Sequence, residues 1–339
     1  MPHAVFSTAA LDGGDAFAFW RDSISCIFEV EADADVRRDR FHAEIDANMF
    51  GPIMLARTQT RAQDWDRTAR LMAQDGMDHY MVQLFEHGTM QWEGAGGTVR
   101  IPENGLVVFD LAREVRTATT DFANMSLIVP RDMLQDRLRA ADDQHMRVLH
   151  GGEPMVNLLR DHMLSLKRLA PAMTAQQAVE IAPATASLAA ACLNAALGDD
   201  PGIREGVGLA QLGRLRRFIE GHLSDPALSA DWIARQAGVS RSKLYALFES
   251  YGGVASYVRE RRLRRALLAL TDRHGHARTI HEVAMAAGYA NDTAFSRAFR
   301  ARYGIAPNDI RQSGAPPATA RAGDGIDRRY ENWLRHLSV

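Results

Sequence analysis

Cysteines are almost absent from this sequence, and long uninterrupted runs of apolar residues are absent altogether. Cys26 and Cys192 are its two cysteines and lie far apart, which excludes a disulfide framework and a zinc site built on cysteine. No run approaches the roughly 18 apolar residues of a membrane span, and the N-terminus has no basic-then-apolar signal-peptide pattern. These absences predict a cytoplasmic protein that binds no membrane.

Motifs of the common enzyme classes are absent as well. The sequence contains no G-x-S-x-G nucleophile elbow, no Walker phosphate loop and no G-x-G-x-x-G after a predicted strand. Two distant cysteines also exclude the reactive cysteine cluster of a DNA-alkylation-repair protein. We therefore expect no enzymatic activity and no cofactor.

The charges are divided unevenly along the chain. Residues 1–207 contain 19 Lys and Arg against 30 Asp and Glu, a net charge of −11, whereas residues 208–312 contain 17 against 9, a net charge of +8. A basic block of about a hundred residues that follows an acidic half predicts that the block binds a polyanion.

The acidic half changes its pattern twice. Residues 13–30 have apolar side chains in steps of three and four, which predicts an opening amphipathic helix. From about residue 41 to about residue 130, short apolar runs alternate with Gly, Pro and Asn, which predicts an antiparallel sandwich or small barrel. Residues from about 131 to 197 return to helical periodicity. The pattern predicts an α+β fold for residues 1–200.

Two of the predicted helices have two alternative roles. Residues 154–169 carry one apolar stripe and residues 175–197 are rich in alanine, so both helices can pack closely against a partner. They form either a dimer interface or a layer that covers the strands. The segment GDDPG at 198–202 then marks a domain boundary. Residues 313–339 predict a low-complexity linker followed by a short helix.

The basic block contains one motif twice. In residues 229–253 and again in residues 279–304, a short helix is predicted to end at a glycine, Gly238 or Gly288, and a second helix follows. An alanine on the first helix permits close packing, the glycine permits a tight turn, and an apolar pair anchors the second helix. These pairs are Leu244 with Phe248 and Phe295 with Phe299. Each unit is a helix-turn-helix, so residues 201–312 are predicted to form an all-α domain.

A single long helix is predicted between the two units. It has leucine and alanine at helical spacing with arginines interleaved. A rigid connection of this kind suits two major-groove segments about 34 Å apart on one face of DNA. The arginines either neutralise phosphates or form an ordinary solvated face. They are Arg259, Arg261, Arg262, Arg264 and Arg265.

Residues 208–311 resemble the DNA-binding domain of the AraC/XylS family of bacterial transcription regulators. The duplicated Ala-Gly turn, the connecting helix and the closing segment YGIAPNDIR carry the resemblance, with Ile310 in the place of the family's aromatic residue. The resemblance implies that the start of each second helix reads bases in double-stranded promoter or operator DNA. It places the DNA-binding residues at Arg241, Ser242, Lys243, Tyr245, Asn291, Asp292, Thr293, Ser296 and Arg297.

Arg297 is the strongest of these candidates. A guanidinium binds O6 and N7 of guanine in a bidentate manner, which discriminates against other bases by about 1–3 kcal/mol. The alternatives are a phosphate contact or an ion pair with Asp292. In the first unit Ala246 stands where the family often has a longer polar side chain, which predicts that the second unit reads more sequence.

The acidic half resembles the AraC-binding-like sensor domain of one branch of the same family. The segments FGPIMLARTQT, DHYMVQLFEHGTMQWEG and VRIPENGLVVFDLAREVR carry this resemblance. It implies a cupin-like antiparallel β-barrel with flanking helices used for dimerisation. The implied function is that of a homodimer that senses a small-molecule effector, contacts RNA polymerase and activates transcription.

Two other functions stay open at this point. A cupin-like barrel is an enzyme when it binds iron or manganese through paired histidines and a carboxylate. The relevant hairpin offers only His87 with Glu86 and Glu93, and His79 lies eight residues before His87, so we expect no metal site. The second alternative is a constitutive DNA-binding dimer without any effector.

A sensor requires an apolar cavity with a few convergent polar groups. The candidates for its lining are aromatic and polar side chains from segments expected to surround the barrel, with arginine suited to a carboxylate ligand. They are Trp65, Arg67, His79, Tyr80, Gln83, Phe85, Trp92 and Arg113.

Overall fold

The computed structural model describes residues 1–11, 13–39, 41–94, 96–102, 104–195, 206–272, 278–313 and 326–337. The chain forms two compact units, Met1–Gly198 with Pro317–Val339, and Asp199–Pro316. The predicted boundary at 198–202 and most of the predicted linker lie outside the described residues. The first unit combines antiparallel sheets with helices and the second is helical, which confirms the predicted α+β fold.

Twelve described strands build two antiparallel sheets in the first unit. The larger sheet has the order β1-β3-β4-β11-β6-β9-β12 and the smaller has the order β2-β5-β10-β7-β8. The larger contains β1 (His3–Ser7), β3 (Ala43–Phe50), β4 (Ile53–Thr60), β6 (His79–His87), β9 (Leu106–Asp110), β11 (Phe122–Pro130) and β12 (Arg147–Leu149). The smaller contains β2 (Glu29–Glu31), β5 (Gln63–Arg67), β7 (Met90–Gly94), β8 (Gly97–Arg100) and β10 (Val115–Thr119).

The strands depart from the sequence prediction in two respects. Strands β1, β2 and β12 extend the sheets beyond the predicted region of about 41–130. The predicted barrel is also divided, because the described strands form two separate hydrogen-bonded sheets and not one continuous ring. The opening helix ends at Ile24, so Ile27 and Phe28 belong to the turn that leads into β2.

The helices of the first unit lie before, between and after the strands. They are α1 (Gly13–Ile24), α2 (Ala34–Arg38), α3 (Ala69–Asp75), α4 (Arg131–Leu134), α5 (Pro154–Leu169) and α6 (Ala175–Ala195). Those of the second unit are α7 (Gly206–Gly221), α8 (Ala230–Gln236), α9 (Arg241–Leu247), α10 (Val254–Thr271), α11 (Ile280–Ala286), α12 (Asp292–Tyr303) and α13 (Pro307–Ser313). The last helix, α14 (Arg329–His336), returns to the first unit.

Both faces of the larger sheet are buried. Alternate residues of a strand point to opposite faces, so Val82 of β6 and Leu127 of β11 pack with Leu159 of α5 and Ala186 of α6 in one core. The other face, called the inner face here, packs in a second core that includes residues of the smaller sheet, such as Trp65. Helices α5 and α6 therefore cover the sheet, as one of the two predicted roles requires.

Helix α6 is long and apolar enough, by length and composition alone, to cross a membrane, and it is the one described helix that passes this test. Its residues Ala178, Ala182, Ala186 and Ala189 are buried in the core beneath the larger sheet. Small side chains on this face permit the close packing seen here. The apolar composition thus reflects a core helix.

The end of the chain belongs to the core of the first unit. Tyr330, Leu334 and Leu337 are buried in the same core as the inner face of the larger sheet. Arg328 forms an ion pair with Asp22 of α1 at 2.9 Å. The short predicted C-terminal helix is therefore a structural element of the first unit.

Candidate nucleic-acid interface and ligand cavity

The second helix of each repeated unit is fixed by a local cap and an apolar anchor. The Ser240 hydroxyl accepts from the backbone N–H of Lys243 at the start of α9, and Asn291 Oδ1 accepts from that of Ala294 at the start of α12. Such caps satisfy N–H groups that have no partner inside the helix. The predicted anchors Leu244, Phe248, Phe295 and Phe299 are all fully buried.

The faces opposite these anchors are largely open to solvent. On α9, the predicted DNA-binding residues Arg241, Ser242, Lys243 and Tyr245 are exposed. On α12 and its cap, Asn291, Thr293 and Arg297 are exposed, whereas Asp292 and Ser296 are half-buried. The carboxamide oxygen of Asn291 is occupied by the helix cap, which limits its predicted role in reading bases.

Arg297 and Asp292 have different surroundings. Asp292 accepts from His281 at 2.9 Å, and within the described part of the chain no ion pair joins it to Arg297. Arg241 in the first helix-turn-helix contacts Asp231 at 3.0 Å, with both side chains more than half exposed. Among the described residues Arg297 has no carboxylate partner, so its guanidinium is available for an external acceptor, which favours Arg297 over Arg241.

The interleaved arginines of α10 divide into two groups. Arg261 forms an ion pair with Glu220 of α7, and Arg262 donates to the backbone carbonyls of Leu223 and Asp225 at 2.9 and 2.6 Å. These two side chains attach α10 to the segment that contains α7. Arg259 and Arg265 are exposed and accessible to phosphates, whereas Arg264 is half-buried and belongs to neither group.

The first unit contains a cavity between its two sheets. The empty space, including the part open to solvent, is about 620 Å³. Most of its lining is apolar and aromatic, and it includes Phe28, Trp65, Phe109, Phe122 and Tyr330. None of the described residues that line it carries a carboxylate, an ammonium, a guanidinium or an imidazole.

A row of polar side chains crosses the inner face of the larger sheet. Ser126 of β11 lies opposite Gln83 of β6, and Asn124 of β11 lies opposite Thr58 of β4. All four line the cavity. Gln83 donates through Nε2 to the Ser126 hydroxyl at 3.0 Å. The carboxamide oxygens of Gln83 and Asn124 are buried and have no hydrogen-bond partner among the residues that the structure describes.

Four of the predicted lining residues belong to this region of the core. Trp65 and Gln83 line the cavity. Phe85 packs against the lining residue Phe122, with ring centroids 5.5 Å apart, and Trp92 packs at the edge of the same core. Trp65 Nε1 donates to the Thr119 hydroxyl at 3.0 Å, which fixes the indole in the cavity wall.

The other four predicted residues do not line the cavity. Arg67 is fully buried and binds Asp75, with Nη1 2.7 Å from Oδ2; burial raises the pKa of Asp75, and the guanidinium opposes that rise. His79 is buried against the backbone carbonyl of Leu337. Tyr80 points to the helix-covered face, where its hydroxyl donates to the Ala141 carbonyl. Arg113 is exposed and donates to the Asp142 carbonyl.

These corrections have different physical reasons. Both faces of the larger sheet are buried, so burial alone does not identify which face of β6 holds Tyr80, whereas Arg67 and His79 lie on the same strand faces as Trp65 and Gln83 but contact Asp75 and the Leu337 carbonyl. The polar members missed by the prediction are Thr58, Thr117, Asn124 and Ser126. The signal for Asn124 and Ser126 in the sequence was a pair of polar residues two apart in the otherwise apolar segment 122–130. Tyr330 had no such signal.

The two carboxylates considered as metal ligands form contacts with other side chains. Glu86 binds Arg57, with Nε 2.6 Å from Oε2, and Glu93 accepts from the Thr98 hydroxyl at 2.7 Å. Across the described ranges, no three His, Cys, Asp or Glu side chains are grouped as a metal would require.

Two family models match this chain. The AraC-binding-like domain matches residues 20–196, which is more than half of the sequence and contains the cavity-lining strands. A helix-turn-helix domain matches residues 233–313, which contain α9 and α12.

Individual proteins are similar to the chain over different lengths. The transcriptional activator NphR of Rhodococcus sp is 24% identical over 319 residues, covering 91% of this chain and 92% of NphR. The regulatory protein SoxS of Escherichia coli K12 is 33% identical over 96 residues, covering 28% of this chain and 86% of SoxS. The crystal structure of the AraC-like transcriptional activator CuxR has a TM-score of 0.54 and 24% identity, covering 78% of this chain and 95% of CuxR. The likeness to CuxR shows a shared fold.

Proposed function

This chain belongs to the AraC family of DNA-binding transcription regulators, and we propose that it is an activator whose DNA binding is controlled by a small molecule held in the first unit. The observation that carries the proposal is the cavity between the two sheets, which combines an aromatic lining with buried polar atoms that have no partner in the described part of the chain. A cavity of this composition is typical of ligand sites.

Base reading is assigned to the exposed starts of α9 and α12. Arg297 is proposed to bind guanine in the major groove, because its guanidinium is exposed and its helix is fixed by the buried Phe295 and Phe299. Arg241, Ser242, Lys243, Tyr245, Asn291, Asp292, Thr293 and Ser296 are proposed to complete the interface. Arg259 and Arg265 are assigned to phosphates, which adds affinity without sequence preference.

Control by the small molecule requires two states of the protein. A ligand shifts an equilibrium between DNA-competent and incompetent arrangements only if it binds one of them more tightly. Coupling energies between sites are typically about 1–3 kcal/mol, which corresponds to about 5–150-fold in affinity. We assign this differential binding to the cavity.

Activation, and with it a contact to RNA polymerase at the promoter, is proposed because NphR, which matches along most of this chain, is named a transcriptional activator. The proposed location is the cytoplasm, where promoter DNA lies. We propose no catalytic activity for the cavity.

A homodimer is proposed through the outer surface of α5 and α6. Leu158, Leu169 and Val179 are each at least half exposed there, although the inner surface of these helices is buried in the core. Large exposed apolar side chains on neighbouring helices are typical of an interface between proteins. Sedimentation of the full chain and of Leu158→Asp tests the proposal: a dimer that the substitution weakens is expected, and a monomeric wild-type protein would contradict it.

A mobility-shift experiment tests the central proposal. The full chain is titrated against its own upstream intergenic DNA and against a scrambled duplex, at two salt concentrations, with and without small aromatic compounds. We expect selective binding that weakens with salt and that changes about fivefold or more with a compound that occupies the cavity. Selective binding that no cavity-binding compound alters would instead favour a constitutive DNA-binding dimer.

A further inference from the structure

We propose that the cavity binds an uncharged molecule with an aromatic body and a hydroxyl or amide group. The inference rests on the proposed function and specifies its ligand. It excludes aromatic acids and amines in their charged forms, although two arginines were among the candidate lining residues in the sequence.

The lining of the cavity is uncharged, since its described residues include no cation and no anion. Arg67 and Arg113, the two arginines among the candidate lining residues, are respectively bound to Asp75 inside the core and exposed at the surface. A carboxylate or an ammonium that entered the cavity would lose its hydration and gain no partner of opposite charge, which is strongly unfavourable.

Two polar atoms of the cavity lining have no hydrogen-bond partner within the described ranges. The carboxamide oxygens of Gln83 and Asn124 are buried, and each residue is less than one-tenth exposed. Buried acceptors are almost always paired in folded proteins, so two unpaired acceptors on one cavity wall indicate that the cavity's occupant donates to them. A hydroxyl or an amide N–H donates a hydrogen bond without a net charge.

Aromatic rings shape the apolar part of the cavity lining. Phe28 and Phe122 lie edge-on or tilted to Trp65, with ring centroids 5.7 and 5.8 Å apart. Tyr330 and Leu334 of α14 contribute to the same lining. Aromatic side chains prefer such edge-to-face and offset arrangements with another ring, so a ring is the body that this lining accommodates. The ligand thus contacts the last helix of the chain as well as the sheets.

Three matched compounds separate the charge classes. 2-Phenylethanol, phenylacetate and 2-phenylethylamine have one ring and a short side chain, and at neutral pH they are neutral, anionic and cationic. Their dissociation constants for the full chain are measured by calorimetry. We expect 2-phenylethanol to bind at least about tenfold more tightly than either charged compound, because burial of an unpaired charge is costly. Equal or tighter binding of a charged compound, or no binding of any of the three, would overturn the proposal.

A pair of variants tests the role of the unpaired acceptors. Asn124→Leu removes a buried amide from the lining, and we expect it to weaken 2-phenylethanol binding by about three- to tenfold, the contribution of one hydrogen bond. The same change at the exposed Gln59 of β4, Gln59→Leu, is the control. Since Asn124→Leu removes an unsatisfied polar group, we expect the free protein to remain at least as stable, which urea unfolding verifies. Unchanged binding of 2-phenylethanol to a folded Asn124→Leu protein would contradict the hydrogen bond assigned to Asn124.

Hydrogen exchange locates the bound compound. Because Tyr330 and Leu334 line the cavity, 2-phenylethanol is expected to slow exchange of the α14 amides and to leave those of α5, which lies on the other face of the sheet, unchanged. Protection of α5 alone would place the compound elsewhere and overturn the assignment. Different results contradict the ligand class and the proposed control of DNA binding. The ligand class is contradicted by the relative affinities of the three compounds. The control of DNA binding is contradicted if 2-phenylethanol occupies the cavity without altering the affinity for DNA.

Discussion

The hydroxyl oxygens of Ser23 and Tyr330 lie 2.8 Å apart, although 307 residues separate them in the sequence. Ser23 also donates to the carboxylate of Glu331, and all three side chains are buried. Arg328 pairs with the same carboxylate. One serine of α1 therefore connects the first helix of the unit to its last helix.

Ser23→Ala is expected to destabilise the first unit by about 1–3 kcal/mol, because it leaves the buried Glu331 carboxylate without one of its donors. Urea unfolding of the full chain measures the change. Ser25→Ala is the matched control, since Ser25 is exposed and two residues away, and its effect should stay within about 0.5 kcal/mol. Equal effects of the two substitutions would show that the contact between α1 and α14 adds no stability.

Arg297→Ala should weaken specific DNA binding more than non-specific binding. A bidentate arginine contact to guanine contributes about 1–3 kcal/mol of discrimination, so the ratio of the two affinities should fall by about 5- to 150-fold. Arg300→Ala, an exposed position later in α12, controls for the loss of one positive charge. If Arg297→Ala lowers both affinities equally, Arg297 contacts a phosphate.

The turn glycines of the two repeated units should respond differently to alanine. Both have a positive φ, +65° at Gly238 and +75° at Gly288, but an added Cβ meets nothing within 4 Å at Gly238 and lies 2.3 Å from the Leu223 carbonyl oxygen at Gly288. Gly238→Ala should cost about 1–2 kcal/mol from backbone strain alone. Gly288→Ala should cost about 1–3 kcal/mol more from the added clash. Thermal unfolding compares the two proteins, and equal losses would contradict the contact between Gly288 and Leu223.

His145 should make the first unit less stable in mild acid. Burial and the nearby Arg113 lower its pKa to about 4. Its Nδ1 accepts from the backbone N–H of Asp110 at 3.2 Å and its Nε2 contacts the Glu114 carbonyl at 3.0 Å, which suits a neutral ring. In the unfolded chain the pKa is about 6.5. As the pH falls below that value, the unfolded state therefore binds a proton that the folded state does not bind, and the folded state loses stability.

The loss from His145 between pH 7 and pH 5 is expected to be about 2 kcal/mol. Urea unfolding of the wild type and of His145→Gln at both pH values isolates this contribution, because all other titrating groups are shared. The variant should lose less stability on acidification than the wild type by about that amount. The same pH dependence in both proteins would show that His145 is not protected from protonation.

The second unit was predictable from the sequence because its determinants are local. Caps such as Ser240 and Asn291, the turn glycines, and apolar pairs such as Phe295 with Phe299 lie within a few residues of one another, and the duplication repeats each of them. Local periodicity therefore indicated both the fold and the exposed face. The exposed base-reading candidates follow from the same helices.

The cavity was less predictable because its members come from distant segments. Alternation identifies Gln83 and Tyr80 as residues of opposite faces, but it does not reveal which face a second sheet covers and which face α5 and α6 cover. Arg67 was misplaced because its partner Asp75 belongs to α3, a contact that depends on the tertiary fold. The return of Tyr330 to the first unit depends on a contact across most of the chain, for which periodicity carries no signal.

The return of α14 has a consequence for any attempt to isolate the first unit. A fragment that stops at residue 198 omits Tyr330, Leu334 and Leu337 from its own core and exposes the apolar surface that they cover. In topological terms the DNA-binding unit is an insertion between residue 198 and residue 317, not an appendage to the first unit. A peptide of residues 326–337 is therefore expected to restore a fragment of residues 1–198 by complementation, as the missing piece of a split domain.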